Sequence, residues 1–230
     1  YILGAIRRNL EAAGVPVEFS KGEAGKGQHE INLDYTTAVE MADRNSVYKL
    51  AAKEIAHFNG RSVSFMAKYD FNDTGSSCHI HSSLWTLDGQ TAVFDDHHGP
   101  HGMSETFQHY LAGQIATARE FSLLWAPTSN SYKRFQLGSW APRLAGVLYG
   151  SKHKLPLGEA VMGNGYDAPD IPRIPWNIVD AINLWEGSTI AREAFGEEVH
   201  HHILTMAKAE WEAFNHTVTD WELRRYWERI

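Results

Sequence analysis

The sequence predicts an α+β protein in which antiparallel strands are flanked by helices. Three observations support this class. Helical and strand patterns follow one another irregularly, without the βαβ alternation of a parallel sheet. Internal repeats are not visible. The chain has 230 residues, of which 43% are hydrophobic, enough to bury a substantial core.

A helix and two strands are predicted at the start of the chain. Apolar residues recur at helical spacing over residues 1–13, and Gly14 then ends the helix. Alternating side chains predict strands at residues 15–19 and 30–35. The loop between these strands contains the glycine-bearing stretch 21–27. It is the first segment along the chain where we expect functional residues.

A long helix is predicted next. Thr37 and Glu40 have the spacing of a capping box, and the apolar pattern continues to Asn59. Residues 62–68 and 77–85 are predicted to be strands.

Helices dominate the rest of the prediction. After an exposed loop at residues 87–102, a helix is predicted from Ser104 to about Leu124. Residues 151–175, rich in proline and glycine, are predicted to be an irregular crossing segment. The remaining residues follow helical patterns to the end.

Composition excludes several classes of partner. The formal charge is −7 and lysines and arginines do not cluster, which argues against nucleic acid and favours small-molecule substrates. No apolar run approaches the length needed to cross a bilayer, so no membrane association is expected. The single cysteine, Cys78, cannot form an intrachain disulfide, and a cytoplasmic location is expected.

Acidic and imidazole side chains gather in two short stretches. Glu18, Glu23 and Glu30 surround the predicted loop, and His79 and His81 alternate on a predicted strand. Carboxylate oxygens suit Mg²⁺ and Mn²⁺, and imidazole shifts the preference towards Mn²⁺. Spacing alone leaves a solvated surface as the alternative.

Three motifs carry a resemblance to a known family. They are GEAGKGQHEIN at residues 22–32, GSSCHIHSSLW at residues 75–85 and NSYKR at residues 130–134. In this order they resemble the glutamine synthetase family, and the likeness extends to residues 65–68 and 220–226. The resemblance implies the catalytic domain of that family, without its N-terminal β-grasp domain.

The resemblance also implies a role for each matching residue. The positions of Glu23, Glu30 and His79 are metal ligands in such enzymes. The nucleotide and phosphate side is implied for Glu18, His81 and Ser83. Gly75 and Arg134 match residues that hold the amino-acid substrate, for which a guanidinium fork is suited to a carboxylate.

The implied reaction uses ATP and Mg²⁺ or Mn²⁺. The γ-carboxylate of glutamate attacks the γ-phosphate of ATP, and a nitrogen nucleophile then attacks the acyl phosphate. Glu23 would help to bind the protonated amine and accept its proton, as the family implies. Arg134 is the second residue expected to take part in catalysis.

Trp140 is the first departure from the family. Members that use ammonia typically have a glutamate at this position, six residues after the arginine of the Lys-Arg motif. A bulky indole there favours an organic amine, as in the γ-glutamyl-polyamine and γ-glutamyl-ethanolamide synthetase relatives. The alternative is that Trp140 packs against Tyr132 while ammonia is still used.

A missing segment is the second departure. After Arg143 the family continues with an arginine-rich stretch, but this chain continues at once with Leu144. Residues 1–230 therefore resemble a partial catalytic domain with a gap near 143–144. The chain could be a fragment, a natural deletion, or a sequence with an unseen stretch closed up. The alternative of another class is a non-catalytic truncated homologue or a partner of a full-length ring, since the family forms homo-oligomers.

Three further expectations concern side chains outside the motifs. Cys78 is expected to be a buried thiol, and His200, His201 and His202 are expected on a helix surface. The aromatic residues near the end of the chain are expected in the core, with an exposed interface as the alternative. They are Trp211, Phe214, Trp221, Tyr226 and Trp227.

Overall fold

The structure is a computed structural model that describes residues 2–135, 147–158 and 173–227. It divides into two compact units, Tyr1–Ser76 and Ser77–Ile230. The described backbone combines helices with one two-stranded antiparallel sheet, which confirms the predicted α+β class.

The first unit contains two helices and the sheet. Helix α1 spans Ile2–Ala12, strand β1 Val17–Gly22, strand β2 His29–Leu33 and helix α2 Ala38–Phe58. Its core consists of Ile6, Leu10, Val15 and Ala52, with partly buried side chains of both strands packed against them. Burial of one face of each helix explains why the apolar spacing predicted these elements.

The sheet places acidic residues at defined positions of a hairpin. Strands β1 and β2 pair antiparallel, with Lys21 opposite Glu30 and Gly22 opposite His29. The register shifts between Val17 and Phe19, so that Glu18 lies at a β-bulge. Bulges change the direction of a side chain relative to the regular pleat.

The capping box predicted for α2 is wrong, although the helix is present. Thr37 occupies the N-cap position, but its side chain makes no capping hydrogen bond. The Glu40 carboxylate accepts instead from Thr36 Oγ1 at 2.6 Å and from Arg44 Nη2 at 2.7 Å. The carboxylate is thus engaged by neighbours other than the N-cap backbone.

The second unit is helical. A 3₁₀ turn at Pro100–Gly102 precedes the helices, which are α3 Glu105–Thr117, α4 Ser122–Trp125, α5 Ser129–Tyr132, α6 Val147–His153, α7 Ile178–Gly187, α8 Thr189–Asn215 and α9 Asp220–Tyr226. The single helix predicted from Ser104 to Leu124 is therefore two helices, separated by a turn. Ser104 caps the first by accepting from the Phe107 backbone N–H.

The core of the second unit lies around α7 and α8. Phe121, Ile178 and Trp185 are fully or almost fully buried there, with Leu204 beside them. Elsewhere in this unit α6 crosses α3 at Gly150, where a Cβ atom would lie 2.4 Å from the Cα atom of Gly113. Only glycine permits so close a helix crossing.

Both later strand predictions are wrong. Residues 62–68 and 77–85 form no strand, and Trp85 makes only an isolated bridge to Ala92. A strand needs a neighbouring backbone edge for its hydrogen bonds, and the described part of the chain provides no ladder for either segment. Apolar side chains of the second segment are correspondingly exposed, including Ile80 at 56%.

Several side-chain predictions also need correction. Cys78 is exposed, because the segment around it is not a strand packed on a core. His200 is buried, whereas His201 and His202 are exposed as predicted. Trp221, Tyr226 and Trp227 are exposed, which contradicts the core assignment, while Trp211 packs against the core.

The prolines and glycines of the predicted crossing segment lie partly outside the described ranges, as residues 159–172 are among those not described. Within the described ranges, no helix is both long enough and apolar enough to span a membrane.

Candidate functional site

Two motif glutamates converge on one cationic group in the first unit. Lys21 Nζ lies 2.6 Å from Glu23 Oε1 and 3.5 Å from Glu30 Oε2. Lys21 and Glu30 are cross-strand partners, and Glu23 follows directly after β1. Both glutamate side chains are 30% exposed, so the carboxylates are open to solvent and to ligands.

The ion pair between Lys21 and Glu23 shifts the pKa of both partners. The hydrogen bond from Lys21 holds the pKa of Glu23 below its usual value, and Glu30 lowers it further. The Glu23 carboxylate in turn raises the pKa of Lys21. The carboxylate oxygens of Glu23 and Glu30 are of the donor type that Mg²⁺ and Mn²⁺ prefer, and the Lys21 ammonium group lies between them in this structure.

The loop between the strands is closed by its own hydrogen bonds. The Glu23 backbone N–H donates to Gln28 O at 2.9 Å, and the Gln28 backbone N–H donates to Gly25 O at 3.1 Å. Gly27 has a φ of 67°, in the left-handed region that favours glycine. Gly27 therefore allows the tight return that brings Glu30, on β2, beside Glu23 at the end of β1.

Gln28 connects this loop to the turn that carries Gly75. Its Nε2 donates to Gly75 O at 3.1 Å and to Ser76 Oγ at 3.0 Å, while its Oε1 accepts from the Gly25 N–H at 2.9 Å. A second connection runs from the Lys26 N–H to Asp73 Oδ2 at 3.1 Å. The structure thus brings the predicted substrate-binding Gly75 beside the loop of the predicted metal ligands.

Glu18 lies at the bulge in β1, away from the contact that Glu23 and Glu30 make with Lys21. Its side chain is exposed, and the bulge places it out of the regular register of β1. Its predicted role on the nucleotide side remains a prediction.

Arg134 and His79 share a serine in the second unit. Arg134 Nη2 donates to Ser77 Oγ at 3.2 Å, and Ser77 Oγ lies 3.0 Å from His79 Nε2. Arg134 follows α5, whose buried Tyr132 anchors the helix in the core. A predicted glutamate-binding residue and a predicted metal ligand are therefore joined through one hydroxyl group.

His81 and Ser83 lie on the same extended segment as His79. Both side chains are exposed, and Ser83 Oγ accepts from Trp85 Nε1 at 3.1 Å. Ser82, between them, contacts the Tyr110 hydroxyl and so ties the segment to α3. Their exposure leaves them accessible to a nucleotide.

Within the described residues, no three histidine, cysteine, aspartate or glutamate side chains are grouped closely enough to hold a metal ion. The three-residue ligand set implied by the resemblance therefore stays a prediction. Trp140 and the junction at 143–144 lie outside the described residues.

Three residues of this site were not predicted from the sequence. Lys21, Gln28 and Ser77 all lie within or beside the quoted motifs, but the resemblance assigned them no role. The cross-strand position of Lys21 followed from the hairpin register, which alternation alone does not fix. The contacts of Gln28 and Ser77 join residues far apart in the chain, and sequence spacing carries no signal for them.

The chain is similar to proteins of one family. It matches the glutamine synthetase catalytic domain over residues 1–145 and 143–226. Gamma-glutamylethanolamide synthetase GlnA4 of Streptomyces coelicolor is 41% identical over 271 residues, covering 100% of this chain and 57% of that protein.

Two other curated relatives have names that specify different activities. Type-1 glutamine synthetase 2 of Dictyostelium discoideum is 33% identical, with 96% of this chain and 51% of that protein covered. Glutamate–isopropylamine ligase of a Pseudomonas species is 32% identical, with coverage of 100% and 60%. The chain thus spans between half and two thirds of the length of these relatives.

The fold is shared with solved structures of GmaS. GmaS without ligand aligns with a TM-score of 0.87 at 24% identity, over 99% of this chain and 62% of that chain. The ADP complex of GmaS aligns with a TM-score of 0.85 at 24% identity, over 98% and 63%. With the domain match over nearly all its residues, this chain belongs to the glutamine synthetase catalytic domain family.

Proposed function

We propose that the protein is a cytoplasmic, ATP-dependent carbon–nitrogen ligase that joins the γ-carboxylate of glutamate to an organic amine. The observation that carries this proposal is the convergence of the Glu23 and Glu30 carboxylates on the Lys21 ammonium group, with Gly75 held beside their loop. Membership of the family supports the reaction class.

Each predicted site residue has a role in this proposal. Glu23, Glu30 and His79 would hold Mg²⁺ or Mn²⁺. A bound metal ion would neutralise the negative charge of the phosphate and carboxylate groups. The guanidinium of Arg134 and the backbone at Gly75 bind glutamate. The nucleotide is bound by Glu18, His81 and Ser83.

The chemistry balances in two steps. A γ-carboxylate oxygen of glutamate forms a bond to the γ-phosphorus of ATP, and the bond to ADP breaks. The amine nitrogen then attacks the γ-carbonyl carbon, and phosphate leaves with the original carboxylate oxygen. Glu23 is the carboxylate proposed to accept the proton released by the amine, although the contact with Lys21 lowers its pKa and so makes it a weaker base.

An organic amine is favoured over ammonia for two reasons. The name of one relative specifies a γ-glutamylethanolamide product and that of another an isopropylamine substrate, although several others are named glutamine synthetases. Trp140 also stands where ammonia-using members typically have an acid, and an indole cannot accept a proton from ammonium. Ammonia is the alternative nucleophile.

We further propose that a segment of the family domain is missing near 143–144. The domain match is in two parts that meet at 143–145, and the alignment to GlnA4 runs over 271 positions against 230 residues in this chain. The same gap favours the second candidate function, a non-catalytic truncated homologue or a partner of a full-length ring.

Product analysis tests the proposed function. The purified protein is incubated with ATP, Mg²⁺, glutamate and one of ammonium, ethanolamine, isopropylamine or a polyamine, and γ-glutamyl products are identified by mass spectrometry. Product with an organic amine is expected. Product with ammonium only would exclude the organic-amine assignment, and no product with any nucleophile would favour the non-catalytic partner.

The intact mass separates the two candidates further. Comparison of the purified protein's mass with its complete coding sequence shows whether the arginine-rich segment exists in the mature protein. Its presence is expected for an active ligase. Co-purification with a longer homologue, together with no turnover, would support the non-catalytic partner instead.

A further inference from the structure

Gln28 has the densest set of polar contacts in the glutamate-bearing loop. Its side-chain amide accepts from the Gly25 N–H and donates to both Gly75 O and Ser76 Oγ. Its backbone carbonyl and N–H pair with Glu23 and Gly25. The side chain is half-buried, so all three of its contacts are partly shielded from water.

The two ends of the amide serve different purposes. The carbonyl end closes the loop on itself, because its acceptor bond is to Gly25 within the same loop. The amino end reaches residues 47 and 48 positions away, at the turn that contains Gly75. One planar group therefore fixes the distance between the loop and the turn.

Asp73 reinforces the same connection. Its carboxylate accepts from the Lys26 N–H, the Thr74 N–H and the Tyr69 hydroxyl. These donors lower the pKa of Asp73, with the Tyr69 hydroxyl contributing most. The loop is thus held at Lys26 and Gln28, on the two sides of Gly27.

We propose that Gln28 is a positioning residue that aligns the metal-binding loop with the glutamate-binding turn, and so strengthens the coupling between metal and glutamate binding. This inference rests on the proposed function, because it takes Glu23 and Glu30 as metal ligands and Gly75 as a glutamate contact. Gln28 itself touches neither ligand.

The proposal has a thermodynamic consequence. If both ligands need the loop and the turn in the same relative position, each ligand raises the affinity for the other by the same factor. Loss of the Gln28 bridge leaves each half of the site intact but allows their spacing to vary. The coupling factor then falls more than either separate affinity.

The variant that tests this is Gln28→Glu in the protein expressed from its complete gene. Glutamate at this position keeps the acceptor for the Gly25 N–H but, when ionised, loses the donors to Gly75 O and Ser76 Oγ. Gln90→Glu is the matched control, since the Gln90 amide donates to Asp88 O within its own exposed loop. Urea unfolding of both variants checks that they fold.

Mn²⁺ affinity is measured by calorimetry with and without glutamate, and the ratio of the two values gives the coupling factor. We expect this factor to fall about tenfold in Gln28→Glu. A change of this size corresponds to the loss of one hydrogen-bonded bridge between uncharged groups. We also expect a raised KM for glutamate with an unchanged KM for ATP, whereas simple loss of folded protein would change neither KM.

Three outcomes decide between the proposals. A reduced coupling factor in Gln28→Glu, with Gln90→Glu like wild type, supports the positioning role. An unchanged coupling factor, within about twofold, overturns the positioning role while the proposed function stands. Absence of Mn²⁺ and glutamate binding in the wild-type protein overturns the proposed function, and the positioning role with it.

Discussion

Trp185 and His200 bind each other reciprocally in the core of the second unit. Trp185 Nε1 donates to His200 O at 3.0 Å, and His200 Nε2 donates to Trp185 O at 2.7 Å. Their rings stack with centroids 5.4 Å apart and an angle of 7° between the planes. The two side chains thereby fasten α7 to α8 with every contact shielded from water, since His200 is only 2% exposed.

His200→Ala is expected to destabilise the protein by about 2–4 kcal/mol, because it removes a buried stacked ring and one of two donors to Trp185 O, which also accepts from the Ser188 N–H. His201→Ala is the matched control, an exposed histidine on the next position of the same helix. Its effect should stay within about 0.5 kcal/mol. Urea unfolding followed by circular dichroism measures both, and equal midpoints would contradict the structural role of His200.

Tyr132 is expected to make the protein sensitive to alkaline pH. Burial raises the pKa of its hydroxyl well above the usual 10.0, and Ser122 offsets only part of this effect. Above pH 10 the unfolded chain ionises this group while the folded protein keeps its proton, so that rising pH favours unfolding.

The contribution of Tyr132 to stability should therefore be constant below pH 10 and fall above it, with a slope approaching about 1.4 kcal/mol per pH unit. Tyr132→Phe should reduce this slope, and Tyr35→Phe, at a side chain 96% exposed, should not. Denaturation midpoints between pH 8 and pH 11 measure the slope. Identical slopes in wild type and Tyr132→Phe would exclude this origin.

Glu23→Gln is expected to weaken Mn²⁺ binding by more than the roughly 10–100-fold loss caused by changes to supporting residues. The glutamine amide keeps the size of the side chain but removes the negative charge that would bind the metal ion. Glu54→Gln, at an exposed carboxylate on α2, is the control. Calorimetry compares them, and similar Mn²⁺ affinities for the two variants would remove Glu23 from the ligand set.

Arg134→Lys is expected to raise the KM for glutamate by about 10- to 100-fold, since lysine keeps the charge but loses the fork that binds a carboxylate. The KM for ATP should change little. Arg7→Lys is the control, because Arg7 Nη1 also donates to a serine hydroxyl, that of Ser20 at 3.0 Å. Steady-state kinetics decide, and an unchanged KM for glutamate would contradict the assignment of Arg134.

The sequence predicted the first unit of the fold because its signals are local. Helix α1 buries Ile6 and Leu10, helix α2 buries Ala52 and Ala56, and partly buried strand residues pack against this cluster, so that local periodicity locates these elements. The segments 62–68 and 77–85 also alternate, but a strand depends on a partner elsewhere in the chain. Alternation could not show that the described part of the chain provides none.

His200 shows the same limit at a single side chain. Three consecutive histidines on a helix point in different directions, and this pattern predicted a surface. One of them nevertheless lies four residues before the buried Leu204, on the stripe that faces the core. Attention to that spacing would have separated His200 from its two neighbours.

The candidate site was predicted in its residue types more fully than in its contacts. The motifs identified Glu23, Glu30 and Gly75, which the structure places close together in one unit. They gave no indication of Lys21 or Gln28 as the groups that hold them there. Those contacts depend on hairpin register and on pairing across 47 positions, which only the folded chain determines.

The most direct test of the proposed ligase follows the oxygen atoms of the γ-carboxylate. Glutamate labelled with ¹⁸O in that group is incubated with the protein, ATP, Mg²⁺ and ethanolamine, and the released phosphate is analysed by mass spectrometry. An acyl phosphate intermediate predicts one ¹⁸O in each phosphate, formed together with γ-glutamylethanolamide. Unlabelled phosphate, or no phosphate at all, would contradict the account.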